Sequence, residues 1–181
     1  MFSYKQLGDY MDNLNLKVRS SEEYPEITNA NNDPRVVELL KDLLASRDGE
    51  IEGILQYFYQ SRIAKQVNKE ISEILEEISI VEMEHMQLLM DAIIDFGGIP
   101  KYQNGKAQPY STTYINYSIK LKDMLDINIQ GEQQAIKRYT VVQELVSNQS
   151  LKKLLSRITE DEKLHLEAFK LLKNTVNFLS V

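Results

Sequence analysis

The sequence contains no cysteine and no tryptophan, and only two histidines, four prolines and seven glycines in 181 residues. Without cysteine there are no disulfides, no thiolate metal sites, no iron–sulfur clusters and no thiol redox chemistry. Scarce glycine and proline disfavour a turn-rich β fold and favour long helices. No run approaches the roughly 18 apolar residues of a membrane span. Met1–Asn15 also lacks the basic region followed by an apolar stretch that marks a signal peptide. Positive charge is short too: the formal net charge is −6, which argues against nucleic acid or an anionic membrane as partner, since both call for a basic face. Neither a nucleophile elbow nor a glycine-rich phosphate loop is present. The expectation is a soluble, cytoplasmic protein with 43% apolar content, enough for a real core.

The two histidines that are there carry the argument. His85 and His165 each follow a glutamate, Glu82 and Glu162, by three residues, and on a helix i and i+3 share a face. Ile71, Ile74, Leu75, Ile78, Leu89, Ala92, Ile93 and Phe96 mark an apolar stripe that contains the first Glu-x-x-His. Leu151, Leu154, Leu155, Ile158, Phe169, Leu172 and Val176 mark another that contains the second. A carboxylate on a buried face costs many kcal/mol unless something compensates its charge, and a metal ion is the simplest compensation. The neighbouring acids Glu73, Glu76, Glu77, Glu84, Glu160 and Asp161 read as a solvated face.

Helical periodicity and capping divide the chain into an N-terminal arm, 1–32, and a helical body, 33–181. In the arm, Phe2, Tyr4, Leu7, Tyr10 and Met11 suggest at most a short helix that packs on the body or on a second subunit. Asp33 and Pro34 begin the first helix, whose stripe of Val37, Leu40, Leu44, Ile54, Tyr57 and Ala64 predicts one continuous helix to Val67, about 50 Å long. Gly49 and Gly53 weaken it and invite another helix to approach. The second helix runs from a cap at Asn68 to Phe96, where Gly97 and Gly98 end it. A connection of about twenty residues, to Ser118, is long for a compact domain and fits a crossover along a bundle. The third helix covers 118–147, with Leu121, Leu125, Ile129, Ala135, Ile136, Tyr139 and Val142 in its stripe. Asn148 and Ser150 cap the fourth, from Leu151 to about Phe178.

The two halves repeat each other. Gly49-Glu50, Gly53-Ile54 and Tyr57 recur as Gly131-Glu132, Ala135-Ile136 and Tyr139 at the same offsets. Each half is therefore a helix bearing Glu, then a helix bearing Glu-x-x-His. The register favours Glu50 over Glu52, because Glu52 aligns with Gln134. The duplicated set is Glu50, Glu82, His85, Glu132, Glu162 and His165.

This set resembles the ferritin-like di-metal carboxylate proteins, in which two helices each give a Glu, the other two each give Glu-x-x-His, and a long crossover joins helices 2 and 3. The resemblance covers about residues 33–178 and looks closest to the rubrerythrin and manganese-catalase branch, as in Tyr57-Phe58-Tyr59-Gln60-Ser61 and Ile78-Ser79-Ile80-Val81-Glu82-Met83-Glu84-His85. It implies an all-α, ferritin-like four-helix bundle with the six residues as metal ligands. Two departures stand out. Rubrerythrins usually carry another carboxylate where this chain has Ala135, and often a cysteine-rich rubredoxin domain, which is absent here. Manganese catalases generally lack the glutamate of the second Glu-x-x-His, which this chain keeps as Glu162.

Four carboxylates and two neutral imidazoles balance two divalent cations, and this oxygen-and-nitrogen donor set suits iron or manganese. The resemblance implies two iron ions, with two manganese ions as the alternative, and a peroxidase-type oxidoreductase acting on hydrogen peroxide or dioxygen with electrons from a separate donor protein. Manganese catalase and an iron-storage or structural subunit with slow chemistry are the other readings. Tyr57 and Tyr139 lie one heptad after Glu50 and Glu132. They either orient carboxylates by hydrogen bonds or are packing tyrosines. A homo-oligomer, a dimer in preference to a cage, is expected.

Overall fold

The computed structural model describes residues 16–179; the expectations for Phe2 to Met11 lie outside the described residues. Five α-helices carry the chain: α1 (Pro34–Ala45), α2 (Glu50–Ala64), α3 (Lys69–Asp95), α4 (Leu121–Leu145) and α5 (Gln149–Leu179), with a single 3-10 turn at Thr112–Tyr114. The described residues contain no β-strand, only an isolated bridge between Gln103 and Pro109. No helix among them is long and apolar enough to cross a membrane. The fold is an all-helical, ferritin-like bundle.

The ends are set by local chemistry. The Asp33 side chain accepts from the backbone N–H of Arg35 (3.0 Å) and Val36 (3.2 Å), with Pro34 in the first helical position. Asn68 Oδ1 accepts from Ile71 N at 2.8 Å to start α3, and Asn148 Oδ1 from Leu151 N at 2.9 Å to start α5. Helix α3 stops at Gly97, whose φ of +84° lets its N–H reach Ile94 O (2.9 Å) while Gly98 N reaches Ile93 O (2.8 Å). That pair of bonds satisfies the carbonyls of Ile93 and Ile94 at the end of the helix.

The continuous first helix expected from the sequence does not form. The chain breaks at Ser46–Gly49 and restarts at Glu50. Asp48 takes a left-handed conformation, φ +56°. A Cβ on Gly49 would come within 2.4 Å of Leu43 O. Only glycine lets the chain fold back this tightly. Gly49 thus serves the break, not the close approach of a second helix.

The closest packing is of α2 on α3 and of α4 on α5, so each half of the duplication is a helical hairpin, while α1 lies chiefly against α3. Two apolar cores result. One joins α1, the C-terminal half of α3 and the first turns of α5 through Leu40, Leu44, Leu89, Ile93, Leu151 and Leu155. The other joins Tyr57, Leu75, Ile78, Leu125, Phe169 and Leu172. The polar residues of the duplicated motif lie between them. The extended segment ahead of α1 runs along α5: Arg157 donates to the carbonyls of Ser20 (3.0 Å) and Glu22 (2.8 Å), and Thr28 N donates to Ser150 Oγ (2.9 Å).

Candidate metal centre

Glu50, Glu82, His85, Glu132, Glu162 and His165 come from four helices and are all buried. They fall into two groups whose ligand-type atoms lie within 4.8 Å of one another: Glu50, Glu82, His85 and Glu162, and Glu82, Glu132, Glu162 and His165. Glu82 and Glu162 belong to both. His85 Nδ1 stands 3.5 Å from Glu50 Oε2, 3.3 Å from Glu82 Oε2 and 3.2 Å from Glu162 Oε1. His165 Nδ1 stands 3.2 Å from Glu82 Oε1, 3.5 Å from Glu162 Oε2 and 3.9 Å from Glu132 Oε1. Each shared carboxylate thus offers one oxygen to either side.

The donor set fits a pair of cations. Glu50 Oε2, Glu162 Oε1 and His165 Nδ1 are buried without a hydrogen-bond partner, although each lies within about 3.5 Å of an oppositely polarised atom. Atoms that converge without pairing in line are arranged toward common points between them. Unsatisfied buried polar atoms are otherwise rare and costly.

Among the protein groups alone, protons distribute unevenly. Burial, followed by the charge of Glu82, raises the Glu50 carboxyl well above its usual range. Burial, followed by the charges of Glu162 and Glu82, does the same to Glu132. The shared carboxylates behave differently. Burial pushes Glu82 and Glu162 upward, but the close approach of both imidazoles, at 3.2–3.5 Å, outweighs it and holds both below the ordinary carboxylate value. Burial likewise opposes the imidazolium of His165, yet Glu162 and Glu82 raise it to about 9. His85 is raised as well, against burial, by Asp161, Glu162, Glu50 and Glu82.

The tyrosines cross between the halves. Tyr57 on α2 donates to Glu132 Oε1 on α4 at 2.7 Å, and Tyr139 on α4 donates to Glu50 on α2. Glu50 opens α2, where the helix dipole favours a carboxylate. Gly53, one turn on, leaves room for Glu82: a Cβ there would sit 3.3 Å from Glu82 Cγ and Cδ. Glu52 points elsewhere and accepts from Asp48 N at 3.0 Å.

Asp161 corrects the sequence reading. It was expected on a solvated face, but it is 0% exposed. Its Oδ2 lies 3.2 Å from His85 Nε2 and accepts from Tyr24 Oη at 2.6 Å, while its Oδ1 meets Arg157 Nη1 and Ser20 N, both at 2.7 Å. Burial works against its charge, but bonds from His85, Ser20, Tyr24 and Arg157 hold its carboxyl down to about 2. The Arg157 guanidinium also stacks 4.4 Å from the Tyr24 ring. No periodic signal marks this group, because residues 20–24 supply its cover. A second set missed by sequence reasoning is a buried amide chain. Asn116 N donates to Gln56 Oε1, Gln56 to Asn128 and Asn128 to Gln60, at 2.7, 3.2 and 2.6 Å, tying the crossover to α2 and α4.

A cavity of about 40 Å³ reaches the carboxylates between α2 and α4, lined in part by Glu50, Gly53, Tyr57, Gly131, Glu132 and Ala135. Beside it, a groove of about 510 Å³ under Thr113–Asn116 shares Asp48, Glu52, Gln56, Ile127 and Gly131 with the cavity.

Comparison with known proteins bears on the fold and the family. KatB, a manganese catalase from Anabaena, superposes with a TM-score of 0.79 at 20% identity, over 88% of this chain and 80% of that one. The bacterioferritin of Desulfovibrio desulfuricans superposes with a TM-score of 0.70 at 21% identity, over 80% of this chain and 81% of the other. That of Rhodobacter capsulatus, described with a metal-free dinuclear site, gives 0.68 at 23% identity, over 82% and 89%. At these identities the likeness is one of fold. No curated protein matches the sequence. The family model for rubrerythrin matches residues 41–173, and the chain belongs to the rubrerythrin family.

Proposed function

We propose that the protein is a di-metal carboxylate oxidoreductase that reduces hydrogen peroxide or dioxygen, with two iron ions held by Glu50, Glu82, His85, Glu132, Glu162 and His165 and electrons delivered by a separate donor. The observation that carries this reading is the pair of four-residue groups sharing Glu82 and Glu162. When bound, two redox-active ions that each change by one electron supply a two-electron exchange. The protein's part is positional. Tyr57 and Tyr139 hold Glu132 and Glu50 from the opposite hairpin, which orients the one carboxylate that is unique to each group. The 40 Å³ cavity has room for a molecule of the size of peroxide.

One observation favours a second reading, manganese catalase. Ala135 stands at the cavity wall where rubrerythrins carry a further carboxylate, so exchange of a ligand at that position is lost. The two readings separate in one assay of metal-loaded protein. Reduction of peroxide only when a donor is added, with no oxygen evolved, is expected. Vigorous oxygen evolution from manganese-loaded protein without reductant would establish disproportionation instead. Absence of both activities with metal fully bound supports the storage or structural alternative.

A further inference from the structure

The two halves of the centre are not equivalent. Each group supplies three carboxylates and one imidazole, shares Glu82 and Glu162 with the other, and has its own carboxylate bonded to a tyrosine of the facing hairpin. In these respects the duplication is balanced. The histidines differ on their outer side. His85 Nε2 lies 3.2 Å from Asp161 Oδ2, whereas His165 Nε2 is buried with no hydrogen-bond partner among the described residues. The sequence gives the reason. Aligning Glu82 with Glu162 pairs Val81 with Asp161, so the position that bears a carboxylate in one half bears an alkyl group in the other. Val81 is itself buried, within the apolar cluster around Ile78 and Phe169.

A carboxylate on the far nitrogen of a ligating imidazole fixes the ring and its tautomer and raises its basicity toward the metal, effects commonly worth ten- to a hundredfold in affinity. Asp161 is well built for this. Arg157, Ser20 and Tyr24 occupy its remaining acceptor positions and prevent it from swinging away. We infer that the two metal positions differ in affinity, that the one held by Glu50, Glu82, His85 and Glu162 fills first, and that Asp161, as a positioning residue, sets this order. The inference rests on the reading that the cluster binds two metal ions.

Full-length protein freed of metal is titrated with Mn²⁺ alone and followed by calorimetry and electron paramagnetic resonance. Two steps about tenfold or more apart are expected, with the first equivalent giving the six-line signal of an isolated ion and the second converting it to a coupled one. In crystals grown with a single equivalent, anomalous scattering from manganese should concentrate beside His85. Asp161→Asn, which keeps the size and removes the charge, should weaken the first step about tenfold or more and change the second far less. Binding in one unresolved step, equal or inverted occupancy, or a variant that weakens both steps alike overturns the inference and leaves the metal centre standing. Failure to bind Mn²⁺ at all, with the fold intact, overturns the metal centre itself. Should Asp161→Asn not fold, diffraction from wild-type crystals at one equivalent decides the matter.

Discussion

At the scale of single residues, the centre depends on groups that bind nothing themselves. Tyr57 satisfies a buried oxygen of Glu132, so Tyr57→Phe leaves a buried acceptor without its donor. The expected cost is about 1–3 kcal/mol in urea denaturation. A Tyr57→Phe protein as stable as wild type would show that the hydroxyl is replaceable by water. Gly53 makes a different prediction. Alanine there is the better helix former, yet its methyl group would press on the Glu82 side chain at 3.3 Å. Gly53→Ala should therefore leave the metal-free protein at least as stable as wild type and weaken metal binding, so that the gap between loaded and metal-free melting temperatures narrows. Sequence reasoning found the six clustered residues and both tyrosines because all repeat at helical spacing. It missed Asp161, one residue before Glu162 and on the flank of the stripe, because nothing in α5 alone says what covers that flank.

At the scale of elements, the break between α1 and α2 has a direct consequence for the site, since it makes Glu50 the first residue of a helix. The sequence did carry a signal: Asp48-Gly49 is a turn-forming pair. The apolar stripe continues across it with little loss of phase, and that continuity masks the turn. Gly49→Ala would force a methyl group against Leu43 O at 2.4 Å. A loss of about 1–3 kcal/mol is expected from such overpacking. Circular dichroism melts would register it, and an unchanged melt would mean that the turn is plastic. The caps were far easier to read. Asn68, expected to start α3, accepts from Ile71 N, and Asn68→Ala should cost about 1 kcal/mol. Capping is legible because it is decided within four residues of chain.

At the scale of the whole molecule, the two helical hairpins meet through a slab of ionisable groups between two apolar cores, and metal should govern how firmly they are held. Binding to the folded chain alone stabilises it by about 4 kcal/mol at a thousand times Kd. Chelated protein should melt well below loaded protein in differential scanning calorimetry; coincident melts would favour a cluster that works without metal. Loading must also displace protons. Glu50 and Glu132 are raised, and His165 is pushed up to about 9. Protons therefore compete with metal below that pH, and apparent affinity should rise as pH increases toward about 9. Proton release on metal addition in weakly buffered solution, measured with an indicator dye, checks this directly. Uptake of metal without proton release would mean that the carboxylates are already ionised and the imidazoles already neutral.

The sequence by itself determined which residues could form a site. Helical periodicity assigns each residue a face from its neighbours a few positions away, and the internal duplication marked Glu50 and Glu132 as partners of the two Glu-x-x-His motifs. The tertiary structure decided how that site is finished. The crossing of Tyr57 to Glu132 and of Tyr139 to Glu50, the amide chain from Asn116 to Gln60, and the cover that Ser20 and Tyr24 place over Asp161 all join residues far apart in the chain. Local spacing gives a side chain its direction. What meets it there depends on the packing of other elements, and for Asp161 that packing turns a surface position into a buried partner of His85.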